Sequence, residues 1–256
     1  MFEKESAIAA EAARAAGDTL TRMLGDAHDI IKKGEIDLVT EADLAAEKLV
    51  VEIIGRNFPR DAILAEESGQ KGKAARTWIV DPLDGTTNYA HSFPFFAVSI
   101  AFEVENERVL GVVYNPSMNE CFEAAKGKGA RLNGKRLQVS GTGSLRDSLL
   151  ATGFPYDVHE RPERVVALLE KMLVRAQGVR RLGSAALDMC YVAAGRLDGF
   201  WEEDLKPWDT AAGEIMVTEA GGRVTTFAGK PYSPYLDSLV ASNGWIHDRM
   251  VAVTGR

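Results

Sequence analysis

The sequence has little of what disulfide-bonded or membrane-spanning proteins need. Only two cysteines, Cys121 and Cys190, occur in 256 residues, and their wide separation matches neither a disulfide framework nor a thiolate zinc site. The longest strongly apolar stretch, Phe93 to Phe102, is shorter than the roughly 18 residues of a transmembrane helix. The first residues also lack the basic and then apolar order of a signal peptide. These absences predict a cytoplasmic protein without a membrane partner.

An excess of basic residues is absent as well. Lys and Arg total 30 against 37 Asp and Glu, so the formal net charge is −7. Such a chain is poorly suited to general binding of nucleic acids or anionic membranes, because both carry charge of the same sign. Nucleic acid is therefore not expected as a partner, and an anionic substrate would need positive charge from another source.

What the sequence does contain is typical of a folded globular protein. Hydrophobic residues make up 46% of the chain and charged residues 26%, which argues against disorder and fibrous repeats. At roughly 150 residues per domain, the length allows one large domain or two closely packed ones. Predicted strands and helices interleave without strict alternation, which indicates an α/β fold of layered sheets and helices. Gly-Thr-Gly-Ser at 141–144 is the best candidate for a domain boundary, and it divides the chain into halves 1–145 and 146–256.

Hydrophobic periodicity predicts the individual elements. The expected helices are an amphipathic helix that ends at Gly25, a helix from Thr40 to about Arg56, one opened by Pro162, one capped by Ser184, and one from about Trp208 to Ala220. The expected strands are Ala62–Ala65, Thr77–Val80, Phe95–Phe102, Val109–Tyr114, Val179–Leu182 and one that begins at Phe200. Asn133-Gly134 is a strong hairpin-turn signal between two further short strands.

Four acidic clusters lie where a predicted strand or loop passes into a turn or helix, which is where side chains converge on a site. The clusters are Asp37-Leu-Val-Thr-Glu-Ala-Asp43, Glu66-Glu67-Ser68, Asp81-Pro-Leu-Asp84-Gly-Thr-Thr-Asn88 and Trp208-Asp209. Taken alone, each has an ordinary structural explanation as a helix cap, a solvated charge pair, a turn or a complement to a helix dipole. The combination of all four favours a functional site.

The third cluster is the most informative. A buried strand that ends in Asp81 and Asp84, with Pro82 fixing a turn between them, would place two carboxylates around one point, where they would repel each other. A bound cation relieves that repulsion, and carboxylate and carbonyl oxygens are ligands that Mg²⁺, Mn²⁺ and Ca²⁺ prefer. Gly85-Thr86-Thr87 then offers backbone N–H groups that suit a phosphate. The segment therefore predicts a metal and a phosphate at one strand end.

These motifs resemble those of the inositol monophosphatase family, within the superfamily of metal-dependent, lithium-sensitive phosphatases. Trp78-Ile-Val-Asp-Pro-Leu-Asp-Gly-Thr-Thr-Asn88 is similar to one signature of that family, and Trp208-Asp-Thr-Ala-Ala-Gly213 with Glu219-Ala-Gly-Gly222 is similar to a second. The resemblance covers nearly the whole chain. It implies the layered αβαβα sandwich of sugar phosphatases and a homodimer. One departure is Ala65, where the family usually has glycine, and alanine fits there if its φ is negative.

The resemblance also implies roles for individual residues. The implied metal ligands, for two or three Mg²⁺ ions with Mn²⁺ as an alternative, are Glu66, Asp81, Asp84 and Asp209 through carboxylates and Leu83 through its carbonyl, most of them in the first half of the chain. The implied catalytic residues are Thr86 with Asp43, which orient and deprotonate the attacking water, and Glu67. The implied substrate contacts are Asp84, Gly85, Thr86, Ala185, Glu202 and Asp209. Lys32 falls where the family places a lysine near the metals.

The resulting hypothesis is a Mg²⁺-dependent phosphomonoesterase that hydrolyses inositol 1-phosphate and similar small alcohol phosphates with a water activated by the metal. Related phosphatases act on histidinol phosphate, fructose 1,6-bisphosphate or nucleotide 3′-phosphates, and the motifs at the metals do not separate these substrates. A hypothesis of another class is a binding or scaffold protein with a structural metal site. Only the basic group Arg175, Arg180 and Arg181 favours this hypothesis. A simpler interpretation is that these arginines are solvated side chains beside a strand.

Overall fold

The computed structural model describes residues 2–24, 41–160 and 162–255, apart from the side chain of Tyr156. The helices in these ranges are α1 (Glu3–Leu24), α2 (Glu41–Asn57), α3 (Thr86–Ala90), α4 (Pro162–Leu173), α5 (Ala185–Ala193), α6 (Pro207–Glu219) and α7 (His247–Thr254). The strands are β1 (Ala62–Ala65), β2 (Gly69–Lys71), β3 (Arg76–Asp84), β4 (Ala97–Val104), β5 (Glu107–Asn115), β6 (Glu120–Ala125), β7 (Gly129–Leu132), β8 (Lys135–Arg136), β9 (Leu149–Thr152), β10 (Gly178–Arg180), β11 (Gly199–Glu203), β12 (Arg223–Thr225) and β13 (Ser238–Ser242).

Within the described ranges, helices and sheets stack in five layers. The first sheet has the strand order β2-β1-β3-β4-β5-β6-β7-β8, and the second has the order β10-β9-β11-β13-β12. Helices α1 and α2 cover the outer face of the first sheet, α5 and α6 lie between the sheets, and α4 and α7 cover the outer face of the second. This arrangement confirms the predicted α/β class and the layered αβαβα sandwich.

Small residues allow the outer layer to pack closely. Ala9, Ala12, Ala13 and Ala16 of α1 are fully buried, and they share one apolar cluster with residues of α2 and of the first sheet. Helices that meet through short side chains approach each other closely, because the side chains at the contact set the distance between the axes. The alanine-rich start of the chain is therefore a packing surface.

Helix α6 lies against β5 with no room for a side chain at the contact. A Cβ atom on Gly111 of β5 would lie 2.8 Å from the carbonyl oxygen of Ala212 and 2.8 Å from Cγ2 of Ile215, both in α6. Because α6 carries Asp209 in its first turn, this contact sets the distance between the first sheet and that acid.

Most predicted elements are confirmed, with some ends shifted. The hairpin between β7 and β8 turns at Asn133 and Gly134, whose φ values are 47° and 80°, as a two-residue turn with two positive φ angles requires. The strand predicted over Val179–Leu182 ends instead at Arg180, and the carbonyl of Leu182, beyond its end, accepts a hydrogen bond from the side chain of Asn88 at 2.8 Å. Periodicity missed β2, β6, β12, β13 and α7.

The prediction of a turn at Pro82 is wrong. Strand β3 continues to Asp84, and its pairing with β4 is interrupted between Asp81 and Asp84. The Oδ1 atom of Asp81 accepts a hydrogen bond from the backbone N–H of Leu83 at 2.9 Å. Proline is tolerated in a strand at such an irregularity, because its missing N–H is not needed for the ladder there.

The predicted boundary lies between the two sheets, since β8 ends at Arg136 and β9 begins at Leu149. One apolar cluster combines residues of both sheets with α5 and α6, and the division into 1–145 and 146–256 stays a prediction. In the described ranges, no helix has both the length and the apolar character that crossing a bilayer requires. The predictions that concern Gly25, Lys32, Asp37 and Thr40 fall outside the described residues.

The close contact between Gly111 of β5 and helix α6 predicts opposite effects for two Gly→Ala substitutions. Gly111→Ala should lower the free energy of unfolding by about 1–3 kcal/mol, because the new methyl group overlaps the backbone of α6. Gly55→Ala in α2 has nothing within 4 Å of the new Cβ and should leave stability unchanged or raise it by up to about 1 kcal/mol, because alanine favours the helix. Urea unfolding of both variants measures the difference. Equal stability of the two variants would contradict the tight contact.

Candidate active site

The parallel pairing of β1 with β3 brings two of the predicted acids together. Ala65 ends β1 and lies beside Val80 in the register, so the next residues, Glu66 and Asp81, leave the same edge of the sheet. The two carboxyl groups are close enough to act on each other's pKa. Asp81 is only 2% exposed, so this pair lies at the base of the site.

Asp209 reaches the same place from α6. The hydroxyl of Ser99 in β4 donates a hydrogen bond to the carbonyl of Trp208 at 3.3 Å, which holds the start of the helix on the first sheet. The Oδ2 atom of Asp209 accepts a hydrogen bond from the backbone N–H of Lys206 at 2.7 Å. Burial raises the pKa of Asp81, and the nearby charges of Glu66, Asp84 and Asp209 raise it further. The structure therefore brings together the four acids singled out in the sequence.

Burial and mutual repulsion raise the pKa values of this acidic cluster, which consists of Glu66, Asp81, Asp84 and Asp209. Burial raises the pKa of Glu66 to about 7, with further contributions from Glu67, Asp43 and Asp84. Burial also raises the pKa of Asp84 to about 6, and burial followed by repulsion raises the pKa of Asp81 and of Asp209. Among the described residues, no three His, Cys, Asp or Glu side chains form a ready-made metal-ligand group. A bound cation would relieve this repulsion, because it favours the charged form of each carboxylate.

Asp84 connects the first sheet to α5. Its Oδ2 atom accepts hydrogen bonds from the hydroxyl of Ser184 at 2.6 Å and from the backbone N–H of Ala186 at 2.8 Å. Ser184 also caps α5, because its hydroxyl oxygen accepts a hydrogen bond from the N–H of Leu187 at 3.4 Å. A carboxylate at a helix N-terminus is stabilised by the helix dipole. The cap predicted at Ser184 thus has a second role, which is to hold Asp84.

The turn after β1 is held from α2. The carboxylate of Glu47 is buried and accepts hydrogen bonds from the backbone N–H groups of Glu67 at 2.8 Å and of Ser68 at 3.3 Å. Asp43, one helical turn earlier on the same helix, is 1% exposed and its charge contributes to the raised pKa of Glu66. Both acids that the resemblance assigned to the handling of water, Asp43 and Glu67, therefore lie beside the acidic cluster.

Gly85 needs the conformational freedom of glycine. Its φ is 97°, and a Cβ there would lie 3.1 Å from the carbonyl oxygen of Phe95 and 3.2 Å from that of Gly183. The hydroxyl of Thr86 donates a hydrogen bond to the carbonyl of Leu83 at 3.1 Å. The carbonyl expected to bind metal and the hydroxyl expected to orient water are therefore in direct contact.

Glu202 forms a second wall of the site. It is buried in β11, and a Cβ on Gly153 would collide with both oxygens of its carboxylate. Burial raises the pKa of Glu202, the charge of Asp209 adds to the rise, and the guanidinium of Arg181 opposes it. Ala185 begins α5, directly after the Ser184 cap. Both predicted contacts for the alcohol part of the substrate thus lie next to the acidic cluster.

Sequence reasoning missed Asp188 and Glu47. Asp188 is 1% exposed, its Oδ1 atom has no hydrogen-bond partner among the described residues, and the charges of Glu202 and Asp84 act on it. A lone acid within the apolar run Ala185-Ala-Leu-Asp-Met-Cys190 is a signal that could have identified it. Glu47 gave no such signal, because an acid on an amphipathic helix normally lies on the solvated face.

Comparison with known proteins gives one consistent result. The model of the inositol monophosphatase family matches residues 2–254. A protein of Synechocystis sp. named inositol-1-monophosphatase is 47% identical over 246 residues, which are 95% of this chain and 86% of that protein. The Nus factor SuhB of Escherichia coli is 42% identical over 249 residues, which are 96% of this chain and 93% of that protein. The structure of an inositol monophosphatase from Anabaena (Nostoc) sp. PCC 7120 is similar with a TM-score of 0.91 at 44% identity, and covers 98% of this chain and 95% of the other.

The raised pKa of Glu66 predicts how stability depends on pH in the absence of metal. Between about pH 4.5 and 7, the folded protein keeps a proton on Glu66 that the unfolded chain has lost, so the free energy of unfolding falls as the pH rises. Glu66→Gln removes this dependence, and its stability relative to the wild type should grow by up to about 3 kcal/mol between pH 4.5 and 7.5. Urea unfolding in EDTA at several pH values measures this difference.

Glu123→Gln provides the matched control. Glu123 lies in β6, three strands away from β3 in the first sheet, so its substitution removes one carboxylate without touching the acidic cluster and is measured at the same pH values. A stability difference between Glu66→Gln and the wild type that does not vary with pH would show that Glu66 does not hold the proton.

Proposed function

The chain belongs to the inositol monophosphatase family, and on this premise we propose that it is a Mg²⁺-dependent phosphomonoesterase that hydrolyses inositol 1-phosphate and similar small alcohol phosphates. The observation that carries the proposal is the convergence of Glu66, Asp81, Asp84 and Asp209. Carboxylates that gather in a partly buried site at the cost of mutual repulsion are explained by a cationic ligand. We propose Mg²⁺ as that ligand, with Mn²⁺ as the alternative.

The donor set fits a hard divalent ion. The four carboxylates of the acidic cluster and the carbonyl of Leu83 supply oxygen atoms only, which is the ligand type that Mg²⁺ prefers. Because these pKa values are raised, a metal ion would have to displace protons from the carboxylates, so its binding should strengthen as the pH rises. When bound, the ions supply positive charge for the phosphate and lower the pKa of water.

The residues of this chain would position the reactants. Backbone N–H groups of Gly85 and Thr86 would bind the phosphate, and the close contacts around Gly85 keep that backbone in place. Thr86 and Asp43 would orient the attacking water and accept its proton, with Glu67 beside them. This arrangement relies on water as the nucleophile, because carboxylates needed as ligands are poor candidates for a covalent intermediate.

The alcohol part of the substrate would lie between α5 and β11. The carboxylate of Glu202 would accept hydrogen bonds from hydroxyl groups, while Ala185 would present a small apolar surface. Such a wall suits a polyol such as inositol, since hydroxyl donors would satisfy an otherwise buried carboxylate. Histidinol phosphate, fructose 1,6-bisphosphate and nucleotide 3′-phosphates are the alternative substrates to be compared.

The names of several relatives support a second function beside catalysis. The Escherichia coli relative is called a Nus factor, and we propose as a second candidate the scaffold hypothesis, in which this chain acts mainly as a binding protein and the acids form a structural metal site. Removal of metal with EDTA distinguishes the two candidates. An enzyme should lose turnover in EDTA but keep its fold and its binding to any macromolecular partner. A chain that unfolds in EDTA would instead have a structural metal site.

Loss of one carboxylate should abolish the proposed reaction. Asp84→Asn removes a negative charge from the acidic cluster, and Mg²⁺-dependent release of phosphate from inositol 1-phosphate should fall by about 100-fold or more. Asp147→Asn makes the same chemical change at an exposed acid and should leave the rate unaltered. Steady-state kinetics at fixed Mg²⁺ concentration measure both. Wild-type turnover by Asp84→Asn would refute the assignment.

The contact between Gly153 and Glu202 predicts a defect in substrate binding. Gly153→Ala forces the Glu202 carboxylate away from its position, and KM for inositol 1-phosphate should rise by about 10-fold or more with a smaller change in kcat. Gly141→Ala is the control, because its Cβ meets nothing within 4 Å. An unchanged KM in Gly153→Ala would show that Glu202 does not contact the substrate.

A further inference from the structure

A cavity of about 640 Å³ lies at the edge of the second sheet opposite the proposed active site. The turns before β9 and β10 and helix α7 line it, and they contribute Arg146, Arg175 and Arg249. Because β9 and β10 are parallel, the cavity lies at their amino ends, whereas Gly153 and Arg181 follow their carboxyl ends. A strand of the length of β9 spans about 13 Å. The cavity is therefore separate from the acidic cluster and from the proposed alcohol site.

This location divides the basic group that the sequence contains. Arg175 precedes β10, whereas Arg180 ends that strand and Arg181 follows it. Arg175 instead shares the wall of the cavity with Arg146 and Arg249, which are distant from it in the chain. The fold therefore gathers three positive charges in one place, in a chain whose net charge is −7.

The charges of these three arginines are not neutralised by ion pairs. Among the described residues, no carboxylate lies within ion-pair distance of any of them. The guanidinium of Arg249 donates a hydrogen bond to the carbonyl of Gly143, and that of Arg175 donates one to the carbonyl of Lys171 at 2.7 Å. A carbonyl holds a guanidinium without cancelling its charge, and most of the five N–H donors of each group stay available. The side chains are exposed, so a ligand can reach them.

The acids next to these arginines in the chain do not compensate for the positive charge. Asp248 precedes Arg249 but forms an ion pair with Arg223, with 2.7 Å between Oδ1 and Nη1. Asp147 follows Arg146 and is exposed to solvent, where its charge is screened by water and salt. Acidic side chains are absent from the described lining of the cavity. The cavity is therefore a place of excess positive charge.

The rest of the cavity wall suits an organic ligand better than a bare ion. Leu145, Val174 and Ala176 give it an apolar part. Its volume lies in the range of cavities that hold small organic ligands and cofactors, and inorganic phosphate would fill only a small part of it. Guanidinium groups also stack on planar aromatic rings. The wall can thus contact both an anionic group and an apolar or aromatic one.

We propose that this cavity binds a nucleoside di- or triphosphate at a site separate from the active site. The three guanidiniums would bind the phosphate groups, because each offers a planar fork of donors that matches phosphate oxygens. The apolar wall would pack against the base or the ribose. The proposal goes beyond the proposed function, since none of the residues assigned to phosphate hydrolysis takes part.

Calorimetric titration of the full-length protein with ATP tests the proposal. The titration is done in EDTA, where the acidic cluster repels phosphate groups, and is repeated in Mg²⁺. Arg146→Gln and Arg249→Gln should each raise Kd by about 10-fold or more, because charge-assisted hydrogen bonds are lost. The Arg146 side chain makes no hydrogen bond or ion pair with the described residues, so its substitution does not act through the fold. The ranking of the variants should be the same under both conditions.

Arg131→Gln is the matched control. Arg131 is also exposed and donates a hydrogen bond to a carbonyl, that of Gly134 at 3.1 Å, but it lies in β7 of the first sheet. Its substitution should change Kd by less than about 3-fold. Tripolyphosphate is the matched ligand, because it keeps the phosphate groups without a nucleoside, and it should bind at least about 3-fold more weakly than ATP.

Three results would overturn the proposal. One is the absence of saturable ATP binding under both conditions, and another is an equal loss of affinity in Arg131→Gln and Arg146→Gln, which would show general attraction to positive charge. The third is equal affinity for ATP and tripolyphosphate, which would show that the nucleoside is not bound. Arg146→Gln should release phosphate from inositol 1-phosphate at the wild-type rate, so the outcome of this test is independent of the proposed function.

Discussion

The organisation of the molecule depends on keeping several carboxylates close together against their mutual repulsion. Asp81 and Asp84 are buried, and Glu66 and Asp209 lie beside them, so each charge raises the cost of ionising the next. In a partly buried site this repulsion is screened less than in water. The fold holds the acids with fixed partners: the N–H of Leu83 for Asp81, the N-terminus of α5 for Asp84, and the N–H of Lys206 for Asp209. A divalent ion is the ligand that such an arrangement favours.

The same hydrogen bonds join the two sheets at the site. Asp84 belongs to the first sheet, while Ser184 and Ala186, which bond to its carboxylate, begin the helix that packs under the second. Asn88 extends this connection, because its side-chain amide donates to the carbonyls of Phe95 and Leu182 at 2.7 and 2.8 Å. A displacement of one sheet relative to the other would therefore disturb the acids directly, which explains why the central layer is filled by tightly packed α5 and α6.

The sequence was sufficient to predict features that depend on neighbouring residues. The turn at Asn133-Gly134, the cap at Ser184 and the paired acids at Asp81 and Asp84 each follow from local chemistry. It was insufficient where a residue acts through a distant one. Glu47 supports a turn 20 residues away, and Arg181 acts on acids from three different elements. The bulge that replaces the expected turn at Pro82 depends on pairing with β4, which no local pattern contains.

The two sheets contribute different parts of the proposed chemistry. Strands β1 and β3 with helix α6 supply the acidic cluster, whereas the ends of β9, β10 and β11 supply Gly153, Arg181 and Glu202. Glycines fix the second group by leaving space: Gly153 makes room for the Glu202 carboxylate, and Gly183 makes room for the Arg181 guanidinium. A change at this edge can therefore alter which alcohol fits without moving a carboxylate of the acidic cluster. If the alcohol binds at this edge, as proposed, the motifs around Asp81 and Asp209 are poor guides to the substrate, and the discriminating residues are those at the ends of the second sheet.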